Sequence, residues 1–122
     1  MPVVAVIGAS ADRRKFGNKA LRAFRERGYT VIPINLHETF VEGERAYASV
    51  LDYPGDIDEA TVYVQPSVGV AVMPELARKG IKTVWLNPGA DEPSVIARAR
   101  AAGLNPTVAC SIIGIGDSPG RY

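Results

Sequence analysis

The stretch VVAVIGASADRRKFGNKAL brings together residue types that hold phosphate groups. Its apolar run stops at Gly8, which lacks a Cβ and so permits a tight turn and the close approach of a ligand. Ala9 and Ser10 are small for the same reason, and the Ser10 hydroxyl can donate a hydrogen bond. A helical pattern follows. The first turn of a helix offers free N–H groups and a partial positive charge, a natural phosphate site. Arg13, Arg14 and Lys15 lie on the connection into that helix, and Gly17 closes the stretch. A charge run on a loop is ordinarily just solvated. This one sits where an open α/β sheet binds phosphates.

Two familiar phosphate motifs are absent. A dinucleotide fingerprint, G-x-G-x-x-G, would need glycine where Ser10 and Arg13 stand. A nicotinamide cofactor would also want an acidic residue ending the second strand, whereas Asn35, Leu36 and His37 occupy that place. No G-K-[ST] occurs, so a P-loop is excluded. The expectation is a nucleotide-like, phosphate-rich ligand other than NAD, with more than a diphosphate to neutralise. No G-x-S-x-G elbow and no Ser/His/Asp order is legible, so no catalytic residue is assigned.

The elements that must position these residues read as β-strands alternating with helices. Strands are expected at 3–7, 29–34, 60–64, 82–86 and 104–109. Phe16, Ala20, Leu21 and Phe24 share one face of the first helix, which Gly28 can end. A helix over 67–79 contains Pro74, which either lies in its first turn or kinks it. A third helix starts near Asp91 and Pro93 and ends at Gly103. Between strands two and three the chain reads as irregular, with Ser49 capping a single turn. Residues 114–122 are expected to fray. Trp85 is expected in the core.

This alternation implies βαβ units with right-handed crossovers, hence one α/β doubly wound domain over 1–122 with a five-stranded, mainly parallel sheet. Ligands bind such sheets at the carboxyl ends of the strands, where strand order reverses. The candidates are therefore Gly8–Gly17, Asn35 and His37, Gln65, Pro66 and Ser67, Asn87, Pro88 and Gly89, and Cys110.

Composition narrows the class. In 122 residues the apolar share is 47%, the charged share 22% and the net charge +1, so neither nucleic acid nor a membrane surface is an expected partner. The single histidine and single cysteine cannot form a His/Cys zinc site. A lone cysteine and an N-terminal apolar run too short for a signal or membrane span fit a cytoplasmic protein.

VAVIGAS, GYTVIPIN, VEGERAYASVLDYP, KTVWLNPGA and AAGLNPTVAC, in this order and spacing, resemble the small stand-alone CoA-binding proteins of bacteria. Those are similar in turn to the N-terminal CoA-binding domain of the succinyl-CoA synthetase α subunit. The resemblance covers residues 3–113, and G-x-x-A-Y-x-S-V is its most distinctive piece. It implies a Rossmann-like fold binding coenzyme A, with the nucleotide end over Gly8–Ser10 and the basic run. It places Asn35 beside the adenosine, and Gln65, Pro66 and Ser67 after strand three. The pantetheine arm would run along Asn87, Pro88 and Gly89. Ser111, Ile112 and Ile113 depart from it, because many relatives carry a basic and acidic pair after the cysteine. The synthetases also use a second domain with a phosphorylated histidine and a partner subunit. Three functions stay open: a binder of CoA or an acyl-CoA without chemistry of its own, the CoA-holding component of a ligase or transferase completed by a partner, and an NAD(P)-binding redox or sensor domain.

Overall fold

A computed structural model of the chain describes residues 1–122. Strand β1 (Val3–Ile7) is an unbroken β-branched and alanine run because it lies between two neighbours and is covered on both faces. The other elements, in chain order, are α1 (Phe16–Glu26), β2 (Thr30–Ile34), β3 (Phe40–Val41), β4 (Glu44–Arg45), β5 (Glu59–Val62), α2 (Pro66–Lys79), β6 (Thr83–Leu86), α3 (Pro93–Ala101), β7 (Asn105–Val108) and α4 (Ser111–Gly114).

The main sheet has the order β2-β1-β5-β6-β7 with every pairing parallel. Strand order therefore reverses between β1 and β5. Register matters more for function. Ile34, Ile7, Val62, Leu86 and Val108 stand side by side across the sheet. All five strands thus end level, and the residues just beyond them share one rim.

Side-chain alternation along β1 splits the core into two layers. Val4 and Val6 pack with Leu21 and Phe24 of α1 and Ile112 of α4. Ala5 and Ile7 pack with Met73 and Leu76 of α2 and Val95 and Ala99 of α3. These are the helices on either face that a doubly wound sheet requires.

Several expectations change. The span between β2 and β5 is partly ordered: β3 and β4 form a hairpin turning through Glu42 and Gly43, both at positive φ. Ser49 does cap a turn, Val50–Asp52, in a capping box with Asp52. Helix α2 starts at Pro66 and carries Pro74 in its interior, so Ser67 belongs to its exposed first turn rather than to a loop. Strand β5 ends at Val62, which moves Tyr63 and Val64 out of the strand and onto the rim. Phe16, which the pattern puts on one face with Ala20, Leu21 and Phe24, is 54% exposed, because it is the first residue of α1 and overhangs the rim.

The tail is tied back onto the end of α1. Ile112 is fully buried, and the Asp117 carboxylate gathers the Tyr122 hydroxyl at 2.7 Å, Arg121 at 2.8 Å and Arg27 of α1 at 3.6 Å. The Tyr122 hydroxyl first, then the Ser118 N–H and Arg121, hold the Asp117 carboxyl down at about 2. Trp85 is only half-buried. Its ring lies where a Cβ on Gly114 would meet it at 2.5 Å, and its Nε1 donates to Glu59 at 3.0 Å.

Candidate functional site

A cleft of about 690 Å³ opens along the rim of strand ends, and the residues following β1 and β5, where the order reverses, both line it. The structure brings twelve of the expected residues to it: Gly8, Ala9, Ser10, Lys15, Gly17, Asn35, Gln65, Pro66, Asn87, Pro88, Gly89 and Cys110. Four others do not line it. Arg13, Arg14 and Ser67 are elsewhere, and His37 lines a second cavity. Phe16, inside the expected Gly8–Gly17 stretch, lines the cleft too, and Tyr63, Val64 and Ala90 line it without having been expected there.

The floor is a close approach of backbones. Gly8 has φ +87, and a Cβ there would meet Tyr63 backbone atoms at 3.1–3.2 Å. A Cβ on Gly17 would lie 2.3 Å from the Gly8 carbonyl oxygen. Only glycine lets the first turn of α1 rest on the β1 loop. That contact aims the helix N-terminus at the cleft.

Two asparagines hold the loop in place. Asn18, fully buried, donates to the Ser10 carbonyl at 2.8 Å and to Glu42 at 3.2 Å, and accepts from Arg22 at 2.7 Å. Asn35 donates to the Ala9 carbonyl at 2.8 Å and accepts from the His37 and Glu38 N–H groups at 2.7 and 2.9 Å. Asn18 gave no signal in sequence, because its partners lie on another loop and on the hairpin.

The basic run divides. Arg14 is paired with Asp12 through two bonds of 3.0 Å, and the Arg14 guanidinium holds the Asp12 carboxyl down at about 2. Arg13 pairs with Glu42 at 3.4 Å. Lys15 makes no ion pair and is the one charged side chain lining the cleft. Beside it, the N–H groups of Phe16 and Gly17 donate to no protein acceptor. An ammonium and two free amides at the start of an eleven-residue helix make a cradle for an anion.

At the far end of the cleft the polar side chains are paired within the protein. Asn87, 1% exposed, donates to Thr61 at 2.8 Å and to the Val62 carbonyl at 3.0 Å, and accepts from the Ser111 N–H at 2.8 Å. The Ser111 hydroxyl bonds Thr61 at 2.8 Å and the Tyr63 hydroxyl at 3.1 Å. Burial pushes the Tyr63 phenol above its ordinary value. Ser111 and Ile112, the positions that depart from the resemblance, thus serve this network and the core. Cys110 is half-buried on the cleft wall.

A sequence model described as "CoA binding domain" matches residues 2–116. The chain is 38% identical, over 82 residues, to the acetate–CoA ligase (ADP-forming) II subunit alpha of the archaeon Pyrococcus furiosus, a match covering 66% of this chain and 18% of that one. The chain thus spans about a fifth of that relative. In structure it is similar to a conserved hypothetical protein of Pyrococcus furiosus, with TM-score 0.83, 29% identity, and 93% and 99% of the two chains covered. It is also similar to a protein of Thermus thermophilus, with TM-score 0.83, 31% identity, and 92% and 86% covered. The resemblance to small bacterial proteins therefore extends to archaeal ones. No helix is long and apolar enough to cross a membrane.

Proposed function

Because the chain belongs to the CoA-binding domain family, we propose that its rim cleft binds coenzyme A or an acyl-CoA, without chemistry of its own. The observation that carries the reading is the cradle of Lys15 and the free Phe16 and Gly17 amides at the mouth of a long cleft. The diphosphate lies on those amides, with the Lys15 ammonium beside it. The pantetheine arm follows Gln65–Pro66 and Asn87–Gly89 toward Cys110, a wall without a charged side chain. Arg13, whose side chain is 65% exposed and held by one bond of 3.4 Å, is the cation free to turn to the 3′-phosphate.

The test is a calorimetric titration, at fixed salt, of ligand-stripped protein with CoA, dephospho-CoA and NADPH. Micromolar CoA binding, weakened about tenfold (roughly 1.4 kcal/mol) for dephospho-CoA, is expected. NADPH binding tighter than CoA overturns the reading in favour of a redox or sensor domain. A second reading, that the chain is the CoA-holding component of a ligase completed by a partner, is favoured by the ligase relative of which it spans a fifth. Co-purification with a larger ligase subunit, and CoA-ligase activity only in that mixture, would establish it.

A further inference from the structure

The hairpin between β3 and β4 turns in two residues, Glu42 and Gly43, at φ +50 and +80. A two-residue turn of this hand calls for asparagine, aspartate or glycine at its first position. Glu42 is instead the one residue of the chain other than glycine at positive φ. Its Cβ crowds the backbone there, so the turn itself disfavours it. The favourable contacts of this side chain lie outside the turn. The Glu42 carboxylate reaches the loop that leads from β1 into α1. There its Oε2 accepts from Nδ2 of the buried Asn18 at 3.2 Å and lies 3.4 Å from Nε of Arg13. The hairpin does not need this reach to stay on α1, because Arg25 donates to the Glu42 carbonyl at 2.8 Å and to the Glu44 carboxylate at 2.9 Å. Arg13 has no other acidic partner, since Asp12 is taken by Arg14.

The two contacts of the carboxylate differ in strength. The bond to Asn18 is made inside the fold, where the Glu42 side chain is only 18% exposed. The contact to Arg13 is longer, and that guanidinium is 65% exposed, so water screens it. A phosphate dianion carries more charge than a carboxylate and offers a guanidinium two parallel bonds. It can therefore draw Arg13 away while Glu42 stays on Asn18. We propose that Glu42 is a positioning residue: it holds Arg13 two residues from Lys15 as a counter-charge that a third phosphate must displace. Glu42 thereby sets how strongly the protein separates a ligand with three phosphates from one with a diphosphate alone. This rests on the CoA reading and on Arg13 as the partner of the 3′-phosphate.

The test titrates CoA and dephospho-CoA, at one salt concentration, into wild type, Glu42→Gln, Arg13→Ala and the double variant. Melting curves check that each protein is folded. The carboxamide oxygen of Glu42→Gln still accepts from Asn18, while the charge is gone. Glu42→Gln should tighten CoA by about threefold to fivefold, the size of a weak exposed ion pair. Dephospho-CoA should stay within about twofold of its wild-type affinity, because it never displaces Arg13. In the Arg13→Ala background the gain from Glu42→Gln should vanish. Should Glu42→Gln fail to fold, Glu42→Asn, uncharged and favoured by the turn, should tighten CoA in the same way. A CoA gain below about twofold, or equal gains for both ligands, overturns the role of Glu42 and leaves the CoA reading standing. So does a gain that persists with Arg13→Ala, which would mean that Glu42 repels phosphate directly. Failure of wild type to bind CoA at all overturns the CoA reading and this inference together.

Discussion

At the Asn87 end of the cleft, a buried amide, two hydroxyls and the Ser111 N–H hydrogen-bond one another and leave nothing over. At the α1 end, two backbone N–H groups and an ammonium face the same cleft with no protein partner. Both ends are polar; Asn87 lies one residue beyond β6, and Lys15 stands where the loop leaving β1 enters α1. They differ in whether the polar groups are already satisfied. Buried polar groups must be paired with something. Groups paired within the protein support the fold, and groups left open at a cleft await a ligand. Substitutions at the Asn87 end should therefore act on stability, and substitutions at the α1 end on affinity.

Asn87→Leu should give the largest effect. It keeps the branched shape but strips partners from Thr61, the Val62 carbonyl and the Ser111 N–H. At about 1–3 kcal/mol for each buried group left unpaired, the loss is about 3 kcal/mol or more. Urea denaturation measures it. A loss below about 1 kcal/mol would break the comparison, since the satisfied end would then carry no stability.

Gly17→Ala tests the junction of the two ends. Its new methyl would sit 2.3 Å from the Gly8 carbonyl oxygen, and neither partner is a flexible side chain. Either α1 withdraws or the loop shifts. Overpacking of this kind costs about 1–3 kcal/mol. Because the shift misplaces the cradle amides, CoA affinity should fall as well. Melting and titration on the same protein should both respond, which no other substitution here is expected to do.

Lys15→Ala should leave the melting temperature alone and cut affinity. A charge-assisted contact to phosphate contributes about 1.5–3 kcal/mol, so a loss of about tenfold or more in Kd is expected. Wild-type affinity should also fall as salt rises, and the variant's should fall less steeply.

These contrasts also mark what could be read from sequence. The strands were legible because their β-branched runs are buried on both faces, and their level ends follow from one parallel register. The cleft residues at those ends were legible for the same reason. What was not legible came from contacts between distant segments. Nothing near Arg13 in sequence announces Glu42, which reaches it only because Glu42 and Gly43 turn a hairpin. Asn18 reads as an ordinary helix residue until the Ser10 carbonyl is placed beside it. Phe16 fits the 3.6-residue period of α1, but the helix starts there, and its first position overhangs the rim. The tail looked ready to fray because its anchor, Arg27, lies 90 residues earlier than Asp117.

The tail belongs to the satisfied kind of region, and pH exposes it. The Asp117 carboxyl sits at about 2 in the fold against an ordinary 3.8. A depressed folded pKa stabilises above the ordinary value and is lost as pH falls through the folded one. Between pH 4 and 2 the wild type should therefore lose more melting temperature than Asp117→Asn, while CoA affinity at neutral pH should match. Equal losses would mean that the tail contacts do not hold the fold.

Arg14→Ala should give the smallest effect, and it is the sharpest control on Lys15→Ala. The two residues are neighbours with the same charge, and a phosphate site read from charge alone would weight them equally. In the fold they differ. Arg14 is bonded to Asp12 twice at 3.0 Å and its side chain is 91% exposed, so its charge is compensated locally and screened by water. Removing it frees the Asp12 carboxylate near the loop, a small repulsive change with no lost contact to ligand. CoA affinity should shift by less than about threefold (under roughly 0.7 kcal/mol), against tenfold or more for Lys15→Ala. Equal losses from both variants, by titration at the same salt, would mean that the Asp12 pair opens to meet the ligand. The α1 end would then be satisfied by exchange of partners rather than by groups left open.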